Sequence, residues 1–376
     1  MIQTGTIAAV AVAFARFSGV LFPALTPDVF LGGTINFPQP IGPITVGLSP
    51  QRVLAVASIV VLTWINVRGV RTAAFIQTSL TAIKTAALAA LVVLGLTVGR
   101  NAAAVAENFG ATFWPAGGFT LALLPVIGAA MVGSLFSMDA WNNVGFAGSE
   151  LKDPKRDLPF AMGAGVLTVT VLYMLANIAY LSVLPAEGIA AAPQDRVATA
   201  VLKAILGDGG LYVMAVAIMI STFGCNNGLI LSGARVYYAM ARDNLFFKSA
   251  GVLHPEYKTP AVALVVQALW TSVLCLSGTY GQLLEFVIFA ALVFYMLTAA
   301  GLFALRAKRP DAERPVRVPG YPWLPALYLL LTTLIALAML AMKTTYSGLG
   351  LLCVLLGVPV YFLWRAATGA SHGASR

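Results

Sequence analysis

Apolar runs of about 18 residues or more recur along nearly the whole of this chain, and they constrain its fold more than any other feature. A helix needs roughly 20 such residues to cross ~30 Å of hydrocarbon, and in lipid every backbone polar group must be satisfied inside the structure. Ten runs fit that pattern, near 2–22, 52–70, 73–98, 120–147, 159–184, 210–239, 261–277, 283–305, 322–342 and 347–364. The second and seventh are short or capped by charge. The expected fold is an all-α polytopic membrane protein with one transport-sized membrane domain over residues 1–376. Charged residues make up only 10% of the sequence, against about 25% in a soluble domain, so a soluble globular class is excluded.

A net charge of +9 invites a nucleic-acid reading. The basic residues, however, sit in loops that alternate with the apolar runs. One set of loops, including 68–71, 152–156, 235–258 and 306–317, holds sixteen of them, the other only five. That bias orients a protein in a lipid bilayer, with the basic loops and both termini cytoplasmic, in the plasma (inner) membrane, and no nucleic acid is implied. Cys225, Cys275 and Cys353 fall in apolar runs at no ligand-like spacing, so neither a disulfide framework nor a metal site is read, and no cofactor is called for. Met1-Ile-Gln-Thr-Gly-Thr lacks the positive region of a signal peptide. Pro23 to Pro50 and Arg100 to Gly118, the latter with a Trp114-Pro115 interfacial signal, read as external loops, and Ser371 to Arg376 as a polar tail.

Three polar features interrupt the apolar pattern. The first is Phe136-Ser-Met-Asp-Ala-Trp-Asn-Asn143, which leads to Glu150 and Pro159. A carboxylate at membrane depth costs roughly 2.5–3.5 kcal/mol and so faces a cavity, a partner or a substrate path. Asn and Asp also compete for backbone hydrogen bonds, so a helix break near Ser137 to Asp139 is expected, of the kind that binds substrate in secondary transporters. The same residues would also suit the wet cytoplasmic end of a helix, Glu150 being about three turns on. The second feature is Lys84, the only charge between Arg71 and Arg100. It lies ~20 Å of helix from Arg71, too deep to snorkel easily, and suits a proton carrier or a fixed stand-in for a bound cation. The third is Ser221-Thr-Phe-Gly-Cys-Asn-Asn-Gly228, which could receive that lysine, coordinate a cation, or serve only close helix packing. Arg16, inside the first run, is given no role.

Several stretches together resemble one family, the amino acid permeases of the amino acid, polyamine and organocation superfamily, in its L-type branch. They are Asn66-Val-Arg-Gly-Val-Arg-Thr72 leading to Gln77 and Lys84, Phe136 to Pro159 with Trp141-Asn142 and Asp153-Pro-Lys-Arg-Asp-Leu-Pro159, and Ser221 to Asp243. The resemblance implies an inverted-repeat transporter fold (5+5 plus two helices) in which the first and sixth family helices are unwound around the amino acid. Phe136, Ser137, Met138 and Asp139 would be the unwound segment, while Trp141 and Asn142 would shape the pocket and inner gate. Lys84 would replace a sodium ion beside Ser221 and Thr222. An acid at Asp139, where the family commonly has a small residue, would alter selectivity or point away. Ile2-Gln-Thr-Gly-Thr-Ile7 matches the start of the family's third helix, so the resemblance implies an N-terminally incomplete fold of about ten helices.

The function expected is therefore a secondary amino acid permease working by alternating access, as a proton-coupled carrier or as an exchanger against a counter-substrate. A non-transporting fragment with at most an assembly role is the alternative. An enzyme is not expected: His254 and His372 are the only histidines, both in cytoplasmic segments, and no nucleophilic, metal or paired-carboxylate set shares one depth.

Overall fold

The computed structural model describes residues 2–37, 44–110, 118, 120–314 and 316–368, without the side chains of 70–77, 147–150, 346 and 367–368. The Trp114-Pro115 signal, the tail from Ser371, and the side chains of Arg71, Gln77 and Glu150 lie outside what is described. The chain runs through α1 (Ile2–Leu21), a hairpin of β1 (Ile35–Phe37) and β2 (Ile44–Val46), α2 (Pro50–Arg68), α3 (Val70–Leu96) and α4 (Ala102–Phe109). It continues through α5 (Leu123–Ala130), α6 (Val132–Met138), a 3₁₀ segment (Asp139–Glu150), α7 (Pro154–Val183), α8 (Ala186–Ala190) and α9 (Val197–Leu206). The long α10 (Asp208–Arg242) is followed by α11 (Ala261–Ser277), α12 (Tyr280–Lys308), α13 (Trp323–Met342) and α14 (Thr344–Thr368).

Among the described residues, nine helical stretches are long and apolar enough to cross a membrane, so the protein is integral to it. The seventh expected span forms over the same residues, but as a 17-residue helix, short of the ~20 that a crossing needs. The stretch Pro23 to Pro50, expected to be an external loop, is not all loop. It pairs Ile35 with Val46 and Phe37 with Ile44 in an antiparallel ribbon. Arg52 fastens that ribbon from the first turn of α2: its Nη1 donates to the carbonyls of Thr45 (3.0 Å), Gly47 (2.8 Å) and Leu276 (2.8 Å).

Local chemistry sets the helix ends. Ser49 accepts from the Arg52 amide with Pro50 behind it, a side-chain cap followed by a proline that needs no donor. Asp153 does the same for the Arg156 amide, with Pro154 next, so the charged loop motif before Pro159 is the start of α7. Thr279 and Gln282 form a reciprocal capping box that begins α12 three residues earlier than its apolar run.

The core is organised around α1, which packs on α2, α10, α11 and α12. A helix apolar all round belongs in the interior, and Ile7, Ala8, Ala9 and Ala11 are fully buried against Leu62, Ile230 and Leu264. The amide nitrogens of two buried side chains in this scaffold find acceptors inside it, while Asn66 Oδ1 and Gln267 Oε1 are buried without a donor among the described residues. Asn66 Nδ2 donates to Leu62 O (2.8 Å) and Asn227 Oδ1 (2.9 Å), and Gln267 Nε2 donates to Ile230 O (3.1 Å).

Candidate functional site

Beside this scaffold, α3, α6, the 3₁₀ segment, α7, α9 and α10 line a partly open cavity of about 600 Å³. Each helix offers it one stripe. Lys84, Leu88 and Leu91 face it from α3 at the i, i+4, i+7 spacing of a single helical face, and Met214, Ile218, Ser221 and Cys225 do so from α10. Tyr173 and Tyr180 face it from α7, seven residues and two turns apart. The two lysine-bearing and serine-bearing stripes approach closely because Gly224 has no side chain. A Cβ there would lie 2.7 Å from Leu80 Cβ, closer than real contacts allow.

The wall carrying Ser137 to Val144 changes pitch. An expected unwound break at Phe136 to Asp139 is not what forms: residues 132–138 are α-helical, and the chain then tightens into a 12-residue 3₁₀ segment from Asp139. Ser137 Oγ donates to Gly133 O at 2.9 Å, which keeps that turn closed. Beyond it, three residues per turn replace 3.6, so side chains three apart eclipse one another. Met138, Trp141 and Val144 thereby share one face, and all three line the cavity.

The structure thus gathers five of the nine sequence-derived site residues around one space: Lys84, Ser137, Met138, Trp141 and Ser221. Four lie elsewhere. Phe136 packs edge-on to Tyr280, with 6.2 Å between ring centroids, between two core clusters. Asp139 and Asn142 turn to the other side of the 3₁₀ segment, where Tyr295 of α12 donates to Asp139 Oδ1 (2.6 Å) and accepts from Asn142 Nδ2 (2.8 Å). Thr222 spends its hydroxyl on its own helix, donating to Ile218 O (2.8 Å) with Met219 O at 3.1 Å. Arg16 lies away from the cavity, its guanidinium 5.1 Å from the Tyr280 ring centroid.

Sequence reasoning did not single out Tyr173, Tyr180 or Tyr295. The first two carry a signal, hydroxyls repeated on one helical face of an apolar run. Tyr295 carries none.

Chemically the cavity is an apolar chamber with one cation. Lys84 is the only charged residue among its described lining residues, and it forms no ion pair among the described residues. Hydroxyls of Ser137, Ser221, Tyr173 and Tyr180 and the Trp141 indole supply its polar groups. A large apolar space with a few convergent polar groups is the usual form of a small-molecule site. No group of three or more metal-ligating side chains occurs among the described residues.

Comparison with known proteins points the same way. The sequence matches the family model for amino acid permeases over residues 2–359. It is 32% identical to the serine/threonine exchanger SteT of Bacillus subtilis (strain 168), across 84% of this chain and 70% of that protein. It is 32% identical to the large neutral amino acids transporter small subunit 2 of Mus musculus, across 84% of this chain and 58% of the relative. To the Asc-type amino acid transporter 1 of the same species the figures are 29%, 89% and 62%. The chain therefore spans less than two thirds of the length of the two mouse relatives.

Proposed function

This chain belongs to the amino acid permease family, and on that premise we propose that it is a secondary carrier exchanging neutral amino acids across the plasma (inner) membrane by alternating access. The observation that carries the reading is the apolar chamber of about 600 Å³ with Lys84 as its one described charge. A zwitterion with an uncharged side chain brings a carboxylate for that ammonium and apolar or hydroxyl surface for the rest. A cationic side chain would meet no carboxylate on the described lining and would face Lys84.

In this reading Ser137, Met138 and Trp141 contact the substrate, and Lys84 with Ser221 couples occupancy to the approach of α3 and α10. Phe136 and Thr222 hold the surrounding helices, and Asp139 and Asn142 hold the wall behind the site. Exchange is favoured over proton symport because a serine/threonine exchanger is among the relatives and because a fixed ammonium needs no co-transported ion. The cytoplasmic placement of both termini rests on the bias of basic residues among the loops.

Uptake into proteoliposomes tests this. Labelled serine, threonine and leucine should enter vesicles preloaded with an unlabelled neutral amino acid and fail to accumulate in empty ones. Uptake driven by a proton gradient into empty vesicles would instead support symport, and no uptake under either condition would refute transport by this chain.

A further inference from the structure

Tyr295 stands in α12, behind the cavity wall, and is not among the residues that line the cavity. Its hydroxyl bridges Asp139 and Asn142 through the 2.6 Å and 2.8 Å bonds described above. Its ring lies 5.7 Å from that of Trp141, tilted by 47°. A phenolic hydroxyl has one proton to give and lone pairs to accept. The three groups therefore form a one-way chain, from the Asn142 amide through the Tyr295 hydroxyl to the Asp139 carboxyl.

Asp139 and Asn142 are three residues apart, one full 3₁₀ turn, so at that pitch they eclipse and present both groups to Tyr295 in one line, where α pitch would offset them by roughly 60°. Runs of 3₁₀ longer than three or four residues are uncommon because their hydrogen bonds are poor, yet this segment has 12 residues. Relaxing to α pitch would turn each successive residue by ~100° instead of ~120°, swinging Trp141 by roughly 60° and Val144 by roughly 120° relative to Met138. Those three line the cavity from one face of this wall, beside Ser137 and Ala140.

We propose that Tyr295 is a positioning residue of the transport site: by holding Asp139 and Asn142 one 3₁₀ turn apart, it sets the register of the segment and so presents Trp141 to the cavity, fixing which side chains the site accepts. The proposal rests on the reading of the cavity as an amino acid site. It also gives Asp139 a place in the protein that is neither contact with substrate nor ion coupling.

Tyr295→Phe removes both bonds but leaves the Asp139 carboxyl without its donor inside a membrane span, which by itself lowers stability. Tyr295→Phe combined with Asp139→Leu removes that orphaned carboxyl and leaves only the Asn142 amide without its acceptor, which recovers most of the stability without restoring the bridge. In reconstituted full-length chain, both variants should raise the KM for leucine by about tenfold, equal to ~1.4 kcal/mol, with a smaller change in maximal rate and a smaller KM change for serine. In protein labelled with 5-fluorotryptophan, the Trp141 fluorine resonance, identified by its loss in Trp141→Phe, should shift and broaden in both variants. A double variant that recovers wild-type KM along with stability would overturn the proposal, as would an unmoved resonance or equal KM changes for both substrates. Should the wild type transport nothing, the functional reading fails by itself, and the resonance alone decides whether Tyr295 positions the wall.

Discussion

The two sides of α10 treat polar residues in opposite ways. Toward α2 and α11, Asn227 is fully buried and accepts from Asn66, and the Gln267 amide donates to the carbonyl of Ile230. Toward α3 and the 3₁₀ segment, Ser221 and Cys225 are half-buried and face open volume together with Lys84. Both sides belong to one continuous helix, so depth in the membrane does not separate them. A polar group in hydrocarbon costs free energy until something satisfies it. On the first side the amide nitrogens of Asn66 and Gln267 find it in another part of the protein. On the second it is, in the proposed function, the substrate that enters the open volume.

If that contrast is right, damage to the first side should reduce the amount of folded protein, and damage to the second should reduce transport by protein that still folds. The largest effect is expected from Gly233→Val. A Cβ at Gly233 would sit 2.5 Å from Gln267 Oε1 and 3.5 Å from Gln3 Cβ. Overpacking there, with a buried amide displaced, should cost more than about 3 kcal/mol and leave little monodisperse protein in size-exclusion chromatography. Lys84→Ala comes next. An interaction with a charged group is worth ~1.5–3 kcal/mol, so exchange should fall roughly ten- to a hundredfold, while the melting temperature stays near that of wild type. A large loss of melting temperature in that variant would move Lys84 to the scaffold side of the comparison.

Asn66→Leu should cost ~1–3 kcal/mol, because it strips the fully buried Asn227 carbonyl of a donor. Exchange per folded molecule should remain unchanged, and a change in KM would show that the two sides of α10 are not independent. The smallest effect is expected from Trp141→Phe, which keeps an aromatic face and loses the indole N–H. A KM shift of about threefold, under ~1 kcal/mol, is expected for leucine with unchanged stability.

The scaffold was largely legible in the sequence because it rests on composition. Each long apolar run became helical, that at 120–147 in three pieces, and the other errors are at the ends, where single residues decide. Asp153 and Pro154 start α7 before the apolar run begins, and the Thr279–Gln282 box does so for α12. The ribbon was missed because three residues per strand are too few to display an alternation. In the site, Lys84, Ser137, Trp141 and Ser221 were visible as polar residues out of place. Tyr173, Tyr180 and Tyr295 were not, since a tyrosine has an apolar body and is at home in such helices. The direction of Asp139 could not be read at all. Whether it aligns with Asn143 or with Asn142 depends on a change from 3.6 to 3 residues per turn, and no residue type announces that change.

The lysine on α3 has one more consequence, for the energy source of the carrier. A charge covalently fixed to a helix cannot depart with the cargo, so it never completes a passage between the two aqueous phases. Membrane voltage acts with ~2.3 kcal/mol per 100 mV on each unit charge that does make that passage. In the proposed exchange one zwitterion replaces another beside Lys84, and the only described charge in the chamber stays with the protein. Voltage then has no net charge to drive, and the direction of flux is left to the concentrations of the two amino acids alone.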